Sequence, residues 1–315
     1  MNAIYASLEH AAALPPRPLH LAIGMFDGVH LGHRAVIEAA VQSARRSGGS
    51  SAVLTFFPHP SALVRPDNPT RLMMPSATKA RVMFQLGVDA VIEQPFTAEF
   101  ARIGAGEFLP RVRRALPQLA GVYVGENWRF GRDRLGDVAL LVAEGRRLGL
   151  GVFSADRVSF DGEPISSTRI RALLEAGDVA TANTLLGYSY FAEGVVAAGA
   201  GLGRTLGYPT LNLTWEPELR PRLGVYLVGV SGAASPAPLP GVANYGLRPT
   251  VSRDTHPRLE SHVLGPCPFG EGDRLTVEWL KFLRPEQKFA GAAELRGQIA
   301  RDVAAARGEL GLPPA

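Results

Sequence analysis

The stretch LHLAIGMFDGVHLGHRAVIEAAVQSARR, residues 19–46, joins two apolar patterns through a glycine-rich turn. Residues 19–24 form a short apolar run that stops at Gly24, which predicts a buried strand, and residues 33–46 carry apolar side chains at helical spacing. The turn between them, residues 24–34, holds two histidines, one aspartate and three glycines. A strand that leads through such a turn into a helix begins an alternation typical of α/β folds.

The same alternation continues along the first half of the chain. We predict further strands at 51–57, 88–94, 119–125 and 151–158, with helices at 76–87, 104–116 and 136–149, the first of these capped by Ser76. Such a pattern indicates a parallel sheet covered by helices on both faces. Ligands of such sheets bind at the carboxyl ends of the strands.

Beyond a helical stretch at 167–187 the chain consists of short β-like runs separated by glycine and proline. They lie at 191–203, 205–215, 224–232, 239–246, 257–265 and 273–283. This spacing predicts a small antiparallel barrel or sandwich, which a final helix at 291–311 would close. The segment SGAASPAPLPG (231–241) is rich in small residues and proline, so we expect a surface loop there. We therefore divide the chain into domains 1–186 and 187–315.

Composition narrows the class of protein. The formal net charge is +4, and the only lysines are Lys79, Lys281 and Lys288. The arginine excess is compatible with nucleotide phosphates, but genomic base composition is the favoured explanation. The scattered basic residues do not favour nucleic-acid binding. Cys267 is the single cysteine, which excludes an intrachain disulfide and suggests a reducing compartment. The amino-terminal residues resemble neither a signal peptide nor an anchor, and no apolar run spans a bilayer, so we expect a cytoplasmic protein without membrane contact.

His30 and His33 define the first candidate site. A glycine turn that opens a helix directs backbone N–H groups and the positive end of the helix dipole to one point, which favours an anion. Both imidazoles lie one helical turn apart and can face the same phosphate. No cysteine or acidic cluster with zinc spacing accompanies them, which disfavours a metal. A chance loop with two partly exposed histidines remains the alternative.

Four ordered motifs of the first domain resemble the nucleotidyltransferase superfamily, and more closely the FMN adenylyltransferase half of bifunctional riboflavin kinase/FAD synthetases. They are GMFDGVHLGH (24–33), TFFPHP (55–60), VGENWRFG (124–131) and ISSTRIR (165–171). The resemblance implies a Rossmann-like parallel sheet. It also implies that an FMN phosphate oxygen attacks the α-phosphate of ATP and releases pyrophosphate, a step that depends mainly on positioning and charge neutralisation.

The resemblance assigns roles residue by residue. His30 and His33 would neutralise the ATP phosphates, Asp27 would orient their loop, and Asn127 would contact nucleotide or flavin. The remaining residues implied to bind substrate or nucleotide are Gly24, Phe26, Gly28, His59, Ser166, Ser167 and Thr168, with Arg171 as a further catalytic group on the phosphates. The Pro-His-Pro turn around His59 fits a ligand role and a structural role equally.

The second domain resembles riboflavin kinase. GLGRTLGYPTLNL (201–213) matches the glycine loop, with Gly203, Arg204 and Gly207, and the Pro-Thr-Ala-Asn motif, which here contains Leu211 instead of alanine. Thr210 and Asn212 alternate along a strand and so share one face, where their oxygens suit Mg²⁺ on ATP. GVANYGLRPT (241–250), with Asn244, and LESH (259–262) also match. By that match Glu260 is the base that deprotonates the riboflavin 5′-hydroxyl.

The resemblance covers roughly residues 19–307 and implies an enzyme that phosphorylates riboflavin to FMN and adenylylates FMN to FAD, with ATP, Mg²⁺ and flavins as its ligands. The chain departs from the family at Pro164, Tyr188 and Gly265-Pro266. Three alternatives follow: only one half is active, the protein is a weak flavin- or nucleotide-binding paralogue, or the first domain transfers a nucleotide to another phosphorylated acceptor.

Overall fold

A computed structural model describes residues 2–199, 201–247 and 257–313, which form two compact units, 1–167 and 168–315. The strands of the first unit are β1 (Ala3–Tyr5), β2 (Leu19–Ile23), β3 (Ser50–Phe57), β4 (Ala90–Pro95), β5 (Leu119–Gly125), β6 (Gly151–Ala155) and a small hairpin of β7 (Ser159–Phe160) and β8 (Glu163–Pro164). Its helices are α1 (Leu31–Ser47), α2 (Pro60–Val64), α3 (Ser76–Gln85), α4 (Ala98–Ala101), α5 (Ala105–Ala115) and α6 (Val138–Arg147).

The six strands β1 to β6 form a parallel sheet in the order β1-β4-β3-β2-β5-β6. Residues 50–56 of β3 are all buried, which means that both faces of the sheet are covered. This confirms the predicted parallel sheet. The strand order reverses between β2 and β5, and such a reversal opens a crevice at the carboxyl ends of the two strands.

One local prediction in this unit is wrong. The helix at 76 has Pro75 as its N-cap and makes no side-chain capping hydrogen bond, whereas Ser76 is already inside the helix. Proline is compatible with this place because the first N–H groups of a helix have no intrahelical partner.

The second unit is a closed antiparallel barrel with helices around it, so the barrel prediction is confirmed and the sandwich is excluded. Its strands are β9 (Phe191–Ala197), β10 (Leu211–Leu213), β11 (Gly224–Gly232), β12 (Ser235–Gly246), β13 (Arg258–Val263) and β14 (Arg274–Arg284), in the order β10-β13-β12-β11-β14-β9. Its helices are α7 (Ser167–Ala176, beginning one residue before the division), α8 (Val179–Leu186), α9 (Leu202–Thr205) and the predicted closing helix α10 (Ala292–Glu309).

The barrel has an aromatic interior and an apolar outer face under α10. Trp279 is fully buried and meets Tyr226 and Tyr245 edge to face, at ring-centroid distances of 4.6 and 5.5 Å. On the outside, Val225, Leu227 and Val242 pack with Val303 and Ala306 of α10. Strands β11 and β12 therefore direct one face, with Tyr226 and Tyr245, into the barrel and the opposite face against α10.

The predicted surface loop at 231–241 is wrong. β11 continues to Gly232 and β12 begins at Ser235, so a tight hairpin takes the place of the loop. The prolines at 236, 238 and 240 alternate along β12. Pro240 O accepts from Leu264 N, so the nitrogens of all three prolines lie along the edge of β12 that faces β13. The pairing of β12 with β13 begins only at Gly241, and β11 pairs with the opposite edge of β12. The strand pairing therefore does not need an N–H group at any of the three prolines.

Helices α7 and α8 belong with the barrel in this division of the chain. Asn183 of α8 donates through Nδ2 to Trp279 O at 2.7 Å and accepts from Tyr190 N at 2.7 Å, which fixes α8 against β14. The predicted functional boundary between residues 186 and 187 stays a prediction.

Candidate active sites

The turn after β2 has an unusual backbone. Phe26 and Val29 adopt positive φ values of 51° and 39°, and Gly28 between them has φ 81°. A positive φ costs energy for a bulky residue, above all for a β-branched one, and persists only where the surroundings enforce it. The turn that carries the predicted phosphate-binding residues is therefore held in a strained conformation.

Hydrogen bonds from distant segments hold this turn. Asp27 is 2% exposed, and its two carboxylate oxygens accept from Met73 N at 3.1 and 3.2 Å. The backbone oxygen of Asp27 accepts from Ser167 Oγ at 3.0 Å. The predicted orienting role of Asp27 thus has a geometric counterpart, although its partner at Met73 lies 46 residues away.

His30 and His33 stack at the amino terminus of α1. Their ring centroids are 3.5 Å apart with planes 18° from parallel, and Phe26 meets His33 edge to face at 5.2 Å. His30 is the N-cap, and its Nδ1 accepts from His33 N at 3.3 Å. Both imidazoles lie at the first turn of α1, a helix of 17 residues, and the positive end of a helix dipole acts at that turn. This arrangement suits an anion.

The other predicted residues of the first unit lie at loops and helix ends. Asn127 is exposed directly after β5 and donates through Nδ2 to Glu126 Oε1 at 2.9 Å; Glu126 also pairs with Arg157 at 2.8 Å. His59 caps α2 by accepting from Ser61 N at 3.1 Å, a structural role that its sequence context left open. Gly24 lies in the turn after β2, and Ser166 directly precedes α7. Thr168 and Arg171 lie on α7 beyond the division between the units, and their role stays a prediction.

Sequence reasoning missed Lys79. Only 5% of this residue is exposed, and its Nζ donates to Met25 O at 3.2 Å and Thr55 Oγ1 at 2.9 Å. Burial lowers the pKa of the Lys79 ammonium, while the carboxylates of Asp27 and Glu93 act in the opposite direction. Helical periodicity would have found it, since Lys79 falls on the buried face of α3 with Val82 and Met83.

Three predicted kinase residues form one row across the barrel. Asn212 of β10 stands opposite Glu260 of β13, which stands opposite Asn244 of β12. Directly opposed residues of antiparallel strands point to the same face, with Cα atoms about 4.5–5.5 Å apart. Their sequence neighbours Leu211, Leu213, Leu259 and Ser261 are buried, whereas the row itself is half-buried or exposed. The row therefore presents two amides and one carboxylate on one accessible face.

Glycines pack against the threonine and asparagine of this site. A Cβ added at Gly203 would lie 3.2 Å from Thr210 Oγ1 and 2.4 Å from Tyr208 O, and a Cβ at Gly199 would lie 2.2 Å from Asn212 Nδ2. Arg204 is exposed on α9, and Gly207 follows that helix with φ 90°. Asn212 also borders a cavity of about 250 Å³. A larger residue at position 199 would therefore displace the side chain of Asn212, and one at position 203 would press on Thr210.

His262 is a second residue that sequence reasoning did not assign. Its Nδ1 lies 2.8 Å from Pro209 O, and because a carbonyl oxygen only accepts, the proton must be on Nδ1. Its ring meets Tyr208 edge to face at 5.5 Å. His262 thereby ties β13, which carries Glu260, to the residue before Thr210. The last three residues of the predicted 241–250 motif lie outside the described residues.

The described residues contain neither a metal-binding cluster nor a membrane-spanning helix. No group of three or more histidine, cysteine, aspartate or glutamate side chains is placed to hold a metal ion there. None of the helices in that part of the chain combines the length and apolar character that crossing a membrane requires.

Two family models match the chain, and each covers one of the two candidate sites. The model described as FAD synthetase matches residues 14–169, which include the His30 site, and the model described as riboflavin kinase matches residues 186–310, which include the row at Glu260.

Individual relatives match over most of the chain. A bifunctional riboflavin kinase/FMN adenylyltransferase of Escherichia coli (strain K12) is 36% identical over 97% of both chains. A protein of the same description from Pseudomonas fluorescens is 38% identical over 90% of this chain and 91% of its own. A crystal structure named as a macrolide-efflux protein from Streptococcus pneumoniae is also similar, with a TM-score of 0.86, 26% identity, and coverage of 97% of this chain and 98% of that one.

Proposed function

The chain belongs to the family of bifunctional riboflavin kinase/FMN adenylyltransferases, and on that premise we propose how its residues divide the two reactions. The protein is an enzyme of flavin cofactor synthesis that uses ATP to convert riboflavin to FMN and FMN to FAD. We assign adenylyl transfer to residues 1–186 and riboflavin phosphorylation to residues 187–315. The single cysteine favours work in the reducing cytoplasm.

The observation that carries adenylyl transfer is the stacked imidazole pair at the start of α1. An oxygen of the FMN phosphate attacks the α-phosphorus of ATP, the bond to the β-phosphate breaks, and pyrophosphate leaves. Negative charge grows on the α-phosphoryl oxygens and the leaving group, so donors fixed beforehand are effective. His30 and His33 supply them at a helix N-terminus. Asp27 holds the turn, and Ser166, Ser167, Thr168 and Arg171 are proposed to bind phosphate oxygens.

The row Asn212–Glu260–Asn244 carries riboflavin phosphorylation. Glu260 accepts the proton of the riboflavin 5′-hydroxyl as its oxygen attacks the γ-phosphorus of ATP and ADP leaves. We propose that Asn244, directly opposite Glu260 on β12, and His262, two residues further along β13, support its orientation. The half-buried carboxylate is accessible to substrate on the outer face of the barrel.

Thr210 and Asn212 are the residues that would hold Mg²⁺. A hydroxyl and an amide oxygen suit a hard cation that keeps several waters and is completed by substrate phosphates. The glycines at 199 and 203 support this fit, because larger residues there would displace both side chains. When bound, the ion neutralises charge on the ATP phosphates.

Two substitutions test the division of labour. His30→Ala should lower FAD formation from added FMN by about 10²–10³-fold, because it removes a fixed donor from the phosphates, and should leave riboflavin phosphorylation intact.

Glu260→Gln should lower FMN formation from riboflavin by about 10²–10⁴-fold, because it removes the base, and should leave FAD formation intact. Both rates are measured by chromatography of flavins in the presence of ATP and Mg²⁺.

Matched controls are His10→Ala, an exposed histidine, and Glu278→Gln, a half-buried glutamate on β14 of the same barrel. Neither should change either rate. Unchanged FAD formation in His30→Ala would remove His30 from the site, and unchanged kinase turnover in Glu260→Gln would exclude it as the base.

A further inference from the structure

Lys79 is a buried charge that the two reactions as assigned above do not use. With 5% of its surface exposed, its ammonium has lost nearly all of its water. Burial of a charge costs free energy, and an apolar side chain of similar volume would often be as stable or more so. The stability of the fold therefore does not explain why a lysine occupies this position. The hydrogen bonds of the Lys79 ammonium do.

Those hydrogen bonds converge on the strained turn. Lys79 Nζ donates to Met25 O and to Thr55 Oγ1, and Thr55 Oγ1 donates in turn to Met25 O at 3.0 Å. Met25 immediately precedes Phe26, the first residue with positive φ. Lysine and threonine thus fix the peptide at which the backbone leaves its ordinary conformation, five residues before His30.

We propose that Lys79 is a positioning residue for adenylyl transfer, which holds the Phe26–Val29 turn through Met25 O and Thr55 and thereby sets the imidazoles of His30 and His33 against the ATP phosphates. The proposal rests on the proposed function of the histidine pair. It assigns no contact between Lys79 and substrate. Its effect passes through Met25 O and Thr55 Oγ1, the two groups to which its ammonium donates.

The primary test is Lys79→Met, which keeps most of the volume and removes the donor. FAD formation from added FMN should fall about 10-fold or more, since small displacements of catalytic groups are costly. Riboflavin phosphorylation by the same protein should be unchanged. Long-range ¹H–¹⁵N spectra should show shifted imidazole signals for His30 and His33, assigned through His30→Gln and His33→Gln, while the signals of His20 and His59 stay in place. A loss of folding in the first unit would instead move all four.

Thr55 provides a matched pair for the same question. Thr55→Val keeps the shape and loses the hydroxyl, so FAD formation should fall several-fold, whereas Thr55→Ser keeps the hydroxyl and should restore most of the rate. If Lys79→Met does not fold, this pair decides: equal rates for valine and serine overturn the proposal.

The proposal is also overturned by a folded Lys79→Met with FAD formation within twofold of the native rate, or by a lower rate with unmoved His30 and His33 signals. Failure of the proposed function is separate. If His30→Ala leaves FAD formation unchanged, the site is wrong; if His30→Ala lowers it and Lys79→Met does not, only the role of Lys79 fails.

Discussion

At the scale of single residues, the position of the Asn212 side chain depends on the glycine at 199. A methyl group added at Gly199 would lie 2.2 Å from Asn212 Nδ2 and 2.8 Å from Cγ, so the amide must move. Gly199→Ala should therefore raise the Mg²⁺ concentration for half-maximal riboflavin phosphorylation by about 3- to 10-fold, since a displaced ligand costs on the order of 1 kcal/mol. A magnesium titration of kinase activity measures this.

Gly270→Ala is the control for that substitution, because a Cβ at Gly270 meets nothing within 4 Å. Its titration should match that of the native protein, and FAD formation from added FMN should be unchanged in both variants. Superimposable magnesium curves for Gly199→Ala and Gly270→Ala would argue against Asn212 as a ligand.

At the scale of elements, a buried ion pair joins α10 to β14, in addition to the apolar contacts of Val303 and Ala306 with the barrel. Arg284 of β14 donates through Nε and Nη2 to the two carboxylate oxygens of Asp302, at 2.8 and 2.7 Å, and Gln298 donates to the same carboxylate at 2.8 Å. Asp302 is 6% exposed. Asp302→Ala should lower the free energy of unfolding of the second unit by about 3 kcal/mol, because it leaves a guanidinium without its partner.

The same helix offers an exposed pair for comparison. Lys281 and Glu309 lie 2.6 Å apart, but both are more than 40% exposed. Glu309→Ala should cost less than about 1 kcal/mol. Urea unfolding followed by tryptophan fluorescence, with Trp215 and Trp279 in the barrel, compares the two variants; equal midpoints would contradict the greater weight given to Asp302.

At the scale of the whole molecule, each unit has its own core and its own proposed reaction. FMN is the product of one and the substrate of the other, so it can pass between two protein molecules. An equimolar mixture of His30→Ala and Glu260→Gln should convert riboflavin to FAD after a lag, with free FMN detectable during that lag. If each variant keeps its remaining activity and the mixture still makes no FAD, FMN does not leave the protein between the two reactions.

Elements with a clear local pattern could be predicted closely. The strands at 119–125 and 224–232 have the predicted bounds, and α1 covers the predicted helical stretch. The hairpin at 232–235 could not be predicted, because small residues and prolines are typical of a loop. The prolines fit into β12 because they precede Gly241, where the pairing of β12 with β13 begins, and this is visible only in the sheet. Ser76 was misplaced by one residue because a proline can begin a helix without a capping side chain.

The sequence by itself determined the alternation of strands and helices, the change to short strands after residue 187, and the motifs around His30 and Glu260, since periodicity and turn residues are local properties. Only the tertiary structure decided which distant residues meet. The row of Asn212, Glu260 and Asn244 depends on the register of three strands, and a shift by one residue would turn each side chain to the other face. Lys79 of α3 reaches Met25 across 54 residues only because the fold brings the two segments together. Such contacts follow from packing and register, which no local pattern encodes.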